Sequence, residues 1–102
     1  MVNILLVNET RLTCNILAAA LEDEPDINVV GVATSVAEAL SKMEQYPVDI
    51  ALVSTHLPDR GAATLTQMIA ENAPETKILV LGLTEKKERV LSYVEAGAIG
   101  YV

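Results

Sequence analysis

Among its 102 residues the sequence has one cysteine, no tryptophan, no phenylalanine and three tyrosines. A single thiol, Cys14, excludes an internal disulfide, so a packed core has to hold the chain together. With aromatics at only 3%, that core must be built from Leu, Val, Ile and Ala, a composition suited to helices packed on a sheet. Basic residues are scarce as well: 7 against 14 acids, a formal net charge of -7. That balance argues against this chain itself embracing a nucleic-acid backbone, and DNA contact would need another domain. No cationic leader followed by an apolar stretch opens the sequence, and no apolar run approaches the length of a membrane span. The expectation is a cytoplasmic protein without repeats, low-complexity tracts or flexible linkers.

What the chain has in quantity is apolar residues, 51% of the total, enough for one modest core at this length. Its central stretch is Asp49-Ile50-Ala51-Leu52-Val53-Ser54-Thr55-His56-Leu57-Pro58. An apolar run entered by an acid and left through small polar residues and a proline predicts a parallel strand covered on both faces. Open α/β sheets place ligands and chemistry just beyond the carboxyl ends of such strands, which makes Ser54 the position of most interest.

The remaining segments alternate around that strand. Val2 to Val7 predicts a first strand, and a helix over 11–24 follows, capped by Thr10, with Leu12, Ile16, Leu17, Ala20 and Leu21 as its buried face. Cys14 is expected on or near that face as a structural thiol rather than a reactive one. Pro25 ends the helix, and Ile27 to Ala33 forms the second strand. Ser35-Val36-Ala37-Glu38 is a capping-box pattern opening a helix to about Tyr46, with Val36, Leu40 and Met43 inward. After the central strand, the turn Pro58-Asp59-Arg60-Gly61 leads to a helix over 62–72 that buries Leu65, Met68 and Ile69; both Met43 and Met68 are expected in the core. Lys77 to Leu81 is the fourth strand. Thr84 caps a predicted fourth helix over 85–96, stopped by Gly97, and residues 98–102 supply a fifth strand. This alternation predicts a flavodoxin-like α/β fold, a doubly wound parallel sheet with helices on both faces. A chain ending on its fifth strand would leave that strand half covered, so a fifth helix is expected beyond Val102.

Several segments together carry a resemblance: Ile4 to Val7, Glu24-Pro25-Asp26-Ile27 with Val29-Val30-Gly31, Ala37 to Leu40, Pro47-Val48-Asp49, Leu57-Pro58, Ala73-Pro74, Lys77 to Leu81, and Glu95-Ala96-Gly97-Ala98-Ile99-Gly100-Tyr101. With these the chain resembles the receiver domain of two-component response regulators, above all receivers that precede a LuxR-type helix-turn-helix. The resemblance spans the whole chain and implies a five-stranded sheet of order 2-1-3-4-5. It also implies a phosphorylation site, and there this sequence departs from the pattern. Where the family has two magnesium-binding acids stand Asn8 and Glu9; where it has the phosphate-accepting aspartate stands Ser54; where a hydroxyl residue contacts the phosphoryl group stands Gly82. The family lysine would fall two residues past Val102.

These residue types argue against the usual switch on their own chemistry. Transfer from a phosphohistidine needs a nucleophile that is already an anion, whereas a serine hydroxyl needs a base. Glu9 alone offers magnesium few hard oxygen anions. Replacing clustered carboxylates by Asn and Ser relieves their mutual repulsion and favours one conformation. The expected function is therefore that of an atypical, phosphorylation-independent pseudo-receiver, non-enzymatic and without a cofactor. It would act in signal transduction and transcription regulation by protein contact, through self-association or control of an output domain or sensor partner. By resemblance, the partner surface comprises Lys86, Lys87, Arg89, Val90, Tyr93 and Tyr101, with Tyr101 packed partly inward beside Gly82. The alternative is a small-ligand or Ser54-phosphorylated sensor using the neutralised pocket. His56 is read as an exposed loop residue, and Glu9 as a solvated loop acid. A nucleotide-binding domain is disfavoured because Asn8-Glu9-Thr10-Arg11 has no glycine and places an acid where phosphate would sit. No orienting acid is evident for a Ser54–His56 hydrolase arrangement.

Overall fold

A computed structural model describes residues 1–57, 61–81 and 100–101. Five parallel strands, β1 (Val2–Val7), β2 (Ile27–Ala33), β3 (Ile50–Ser54), β4 (Lys77–Leu81) and β5 (Gly100–Tyr101), lie in the order β2-β1-β3-β4-β5. Helices α1 (Arg11–Glu22), α2 (Val36–Gln45) and α3 (Gly61–Asn72) alternate with them. The expected fold class and strand order are thus observed. Residues 58–60, the fourth helix with its Thr84 cap, Gly82, and Lys86, Lys87, Arg89, Val90 and Tyr93 lie outside the described residues.

The order of the strands decides how each face is covered. From β2 to β3, β3 to β4 and β4 to β5 the chain steps across the sheet in one direction, while β1 to β2 steps in the other. Right-handed crossovers therefore put α2 and α3 on one face and α1 on the opposite one. The strand parity agrees: Leu5, Val7, Ala51, Val53, Ile78 and Val80 pack with Ala39, Leu65 and Ile69 under α2 and α3. The alternate residues Ile4 and Leu6 pack with Cys14 under α1, where Ile50 and Leu52 are only partly covered.

Local signals placed the caps well. Thr10 is extended and its hydroxyl accepts from Thr13 N, while Ser35 Oγ accepts from Glu38 N at 3.1 Å. Glu38 reaches back one residue further than a capping box requires, to Thr34 N at 2.9 Å, and also holds Arg11 Nη2 at 3.1 Å. It thereby ties the start of α2 to the start of α1.

The buried face of α1 differs from the expected one. Leu17 and Leu21 pack on the sheet as expected, but Leu12 is 70% and Ile16 61% exposed, and Ala20 is exposed too; Cys14 and Ala18 complete the inward face. Both stripes have helical spacing, so periodicity alone could not choose between them. The observed stripe carries the small residues Cys14 and Ala18, which let the helix approach the sheet, and the Cys14 thiol lies 3.8 Å from Ala33 O. Leu65 and Ile69 of α3 are buried as expected, whereas Met43 and Met68 are half-buried and line the groove between α2 and α3. Helix α1 also ends two residues early, at Glu22, with Asp23 as its C-cap.

Candidate functional site

The site lies at the carboxyl end of β1, β3 and β4. Val7 pairs with Val53, so the loop that continues β1 passes over the end of β3, and Ser54 pairs with Leu81. The alternation along β3 that turns Ala51 and Val53 toward α2 and α3 turns Ser54 to the α1 side, toward Glu9. The loop itself is anchored at its root: Asn8 N donates to Ala33 O at 3.0 Å. Asn8 Oδ1 accepts from Thr10 N at 3.0 Å, an Asx turn that sets Thr10 as the cap of α1.

Ser54 is 3% exposed and its hydroxyl is engaged on both sides. It accepts from His56 N at 3.1 Å and donates to Glu9 Oε1 at 3.2 Å, with Glu9 Oε2 at 3.5 Å. Glu9, expected as a solvated loop acid, is therefore half-buried and turned inward onto Ser54. The His56 side chain is exposed at the rim, as expected. The structure brings Asn8, Glu9, Ser54 and His56 together around a cavity of about 540 Å³, which Thr10, Thr13, Leu17 and Leu81 complete.

As a place for magnesium the donor set is poor. Glu9 is the one carboxylate among the described cavity-lining residues, and Asn8 Oδ1 is turned into its own loop. Among the described residues no group of three or more His, Cys, Asp or Glu side chains is arranged for a metal ion. The described residues do not fit an octahedral oxygen site.

Two features of the site had little sequence signal. Thr55, next to Ser54, is buried, and its Oγ1 has no hydrogen-bond partner among the described residues. Strand parity was the available clue, since it turns Thr55 toward the face occupied by Val53. Thr13 and Leu17 reach the cavity because α1 rolls Cys14 onto the sheet. Burial pushes the Cys14 thiol above its ordinary pKa, although the backbone carbonyls of Asn8 and Ala33 near its sulfur partly oppose this. Tyr101 lies on β5, with its backbone opposite Val80; its side chain lies outside the described residues.

An open parallel sheet of order 2-1-3-4-5 with its cleft at the carboxyl ends of β1 and β3 is the architecture of a signalling receiver. The family model of the response regulator receiver domain matches residues 4–102, and this chain belongs to that family. It is 35% identical over 101 residues to protein-glutamate methylesterase/protein-glutamine glutaminase 2 of Methanospirillum hungatei, covering 97% of this chain and 29% of that protein. It is 32% identical over 102 residues to the DNA-binding transcriptional activator DevR/DosR of Mycobacterium tuberculosis, covering all of this chain and 47% of that protein. Among solved structures, a LuxR-family two-component response regulator from Aurantimonas sp. superimposes with a TM-score of 0.89 at 26% identity, over 97% of this chain and 71% of that one. The chain thus spans half or less of the length of these curated relatives. No helix among the described residues is long and apolar enough to cross a membrane.

Proposed function

We propose that this receiver domain works without phosphorylation, as a fixed protein-contact module that self-associates or holds an output domain. The observation that carries this reading is the state of Ser54: its proton is donated to Glu9 and one of its lone pairs accepts from His56 N. A hydroxyl in that arrangement is a poor acceptor for a phosphoryl group, since attack requires the anion that an aspartate would already supply. At 3% exposure it is equally a poor target for a serine kinase, which favours the contact module over a Ser54-phosphorylated sensor. The thin donor set around Glu9 adds support, because phosphotransfer at such sites depends on a metal to offset the charge.

The partner surface proposed from the family resemblance is the segment with Lys86, Lys87, Arg89, Val90 and Tyr93, beside Tyr101. The parent protein's output is a further proposal. Relatives of this chain include both a DNA-binding activator and methylesterases, and the acidic balance of this domain favours leaving any DNA contact to a separate domain. A cytoplasmic location and a fifth helix following Val102 belong to the same reading.

Intact-mass spectrometry after incubation with magnesium and acetyl phosphate, beside the Ser54→Asp variant, tests it. The expected result is no added phosphoryl group on the native chain and one oligomeric state by light scattering with or without the phosphodonor. A phosphoryl adduct on the native chain, or a change of oligomeric state on treatment, would overturn the reading.

A further inference from the structure

Two cavities adjoin across Asn72 and Ala73, at the end of the sheet away from Ser54. The first, about 430 Å³, is the groove between α2 and α3, walled by Leu40, Met43, Met68 and Ile69 with Glu44 among its lining. The second, about 390 Å³, continues to the segments that enter β3 and β4, where Asp49 and Glu75 join Pro47 and Pro74. Leu40, Met43 and Met68 are half-buried, whereas Glu44, Asp49 and Glu75 are exposed. Helix α2 ends at Gln45 and α3 at Asn72, so the carbonyl ends of both helices point to the end of the sheet that carries these three carboxylates and deepen its negative potential. Of the described bases close in sequence, Lys42 lays its stem over Gly31 of the edge strand β2, on the side of α2 away from α3, and Lys77 stands exposed at the start of β4.

Shape and charge together select an occupant. From Leu40 to Glu44 a helix climbs about 6 Å, one turn, so the apolar stretch takes two side chains spaced one turn apart. Met43 and Met68 can adapt their unbranched chains to whatever enters. An extended segment laid there would leave its own N–H and C=O groups unpaired, because the bodies of α2 and α3 spend theirs internally; a helix arrives with its own already satisfied. Beyond the apolar stretch the carboxylates attract cations and repel a nucleic-acid backbone, an anionic lipid surface or an acidic peptide. We infer that this composite groove docks a basic amphipathic helix of a partner protein, with two apolar side chains between α2 and α3 and Lys or Arg side chains over Glu44, Asp49 and Glu75. The inference rests on the reading that the domain works by protein contact, and it assigns a contact face separate from the segment with Lys86 and Tyr93.

The test is titration of the full chain with an alanine-based helical peptide that carries two leucines one turn apart and a lysine-rich end, followed by amide chemical shifts. One control peptide has glutamates for the lysines and another has glutamines for the leucines. Saturable shifts are expected at Leu40, Met43, Glu44, Met68 and Ala73, with an affinity that falls as salt is raised. Each control should bind about tenfold more weakly or worse. The double variant Glu44→Lys with Glu75→Lys, both at exposed positions, should lose about tenfold in affinity for the lysine peptide and gain affinity for the glutamate peptide. Met68→Gln, its fold checked in the same spectra, should weaken both peptides that carry leucine. Equal affinity for the glutamate peptide, an unchanged affinity in the double variant, or shifts confined to the Ser54 end of the sheet would overturn the inference. So would self-association of the chain that Met68→Gln abolishes in light scattering, since a second copy would then fill the groove. A chain that gains neither phosphate nor peptide removes this inference and leaves the proposed function standing. A phosphoryl adduct alongside peptide shifts in the groove overturns the phosphorylation-independent reading and leaves the docking face in place.

Discussion

Under α2 and α3, Leu5, Val7, Ala51, Val53, Ile78 and Val80 close against Ala39, Leu65 and Ile69 with almost no exposure. On the opposite face of the same strands, Ile4, Leu6 and Cys14 are the buried residues, and Val2, Leu17, Val29, Ile50 and Leu52 are only partly covered. Composition does not explain the difference, since both sets are aliphatic. It follows from the direction in which the chain steps through the sheet, which puts α2 and α3 on one face and α1 on the other. The thick face therefore supplies most of the apolar burial, and the thin face holds the cavity and Glu9. The tightest packing and the cavity thus lie on opposite sides of one sheet.

Truncating the thick face should have the largest effect. Leu65→Ala removes a fully buried side chain and is expected to cost about 3 kcal/mol, against roughly 1 kcal/mol for the half-buried Leu17→Ala on the thin face. Urea denaturation of both variants checks this, and equal losses would break the comparison. Gly61→Ala probes packing on the thick side from the opposite direction. A β-carbon there would lie 2.9 Å from Leu57 Cβ and 3.3 Å from Val36 Cγ2, so the start of α3 has to shift, at about 1–2 kcal/mol by the same measurement.

On the thin face Cys14 predicts an effect confined to alkaline solution. Its thiol is held above its ordinary pKa by burial, so the neutral form is favoured in the folded state. The stability this contributes is complete below the unfolded thiol's pKa, about 8.5, and is lost as pH rises through the higher folded value. Denaturation midpoints measured from pH 7 to 10 should fall at the alkaline end for the native chain, and less steeply for Cys14→Ala. The smallest effect is expected on the outer side of α1. Leu12→Lys and Ile16→Lys should each change stability by less than about 0.5 kcal/mol, because those side chains lie 70% and 61% in solvent. A loss above about 1 kcal/mol would mean that the outer stripe is covered in solution.

That stripe is also where the sequence was read wrongly. Leu17 and Leu21 face the sheet as expected, but Leu12, Ile16 and Ala20 fit a helical period with them as well as Cys14 and Ala18 do. The sheet selected the smaller set because Cys14 and Ala18 allow closer approach. The caps at Thr10 and Ser35 were legible because they depend on residues within three positions of each other. The inward turn of Glu9 was not legible, since it requires the β1 loop and the end of β3, 45 positions apart, to meet.

By itself the sequence determined the order and type of the described elements, the parallel α/β class and the identity of the residues at each described strand end. These follow from period, caps and prolines, all of which act over a few residues along the chain. The tertiary structure alone decided which stripe of α1 is buried, that Ser54 is locked between Glu9 and His56 N, and that Leu17 and Leu81 line the cavity beside them. Those outcomes depend on which distant segments compete for the same sheet surface, and no local pattern encodes the winner.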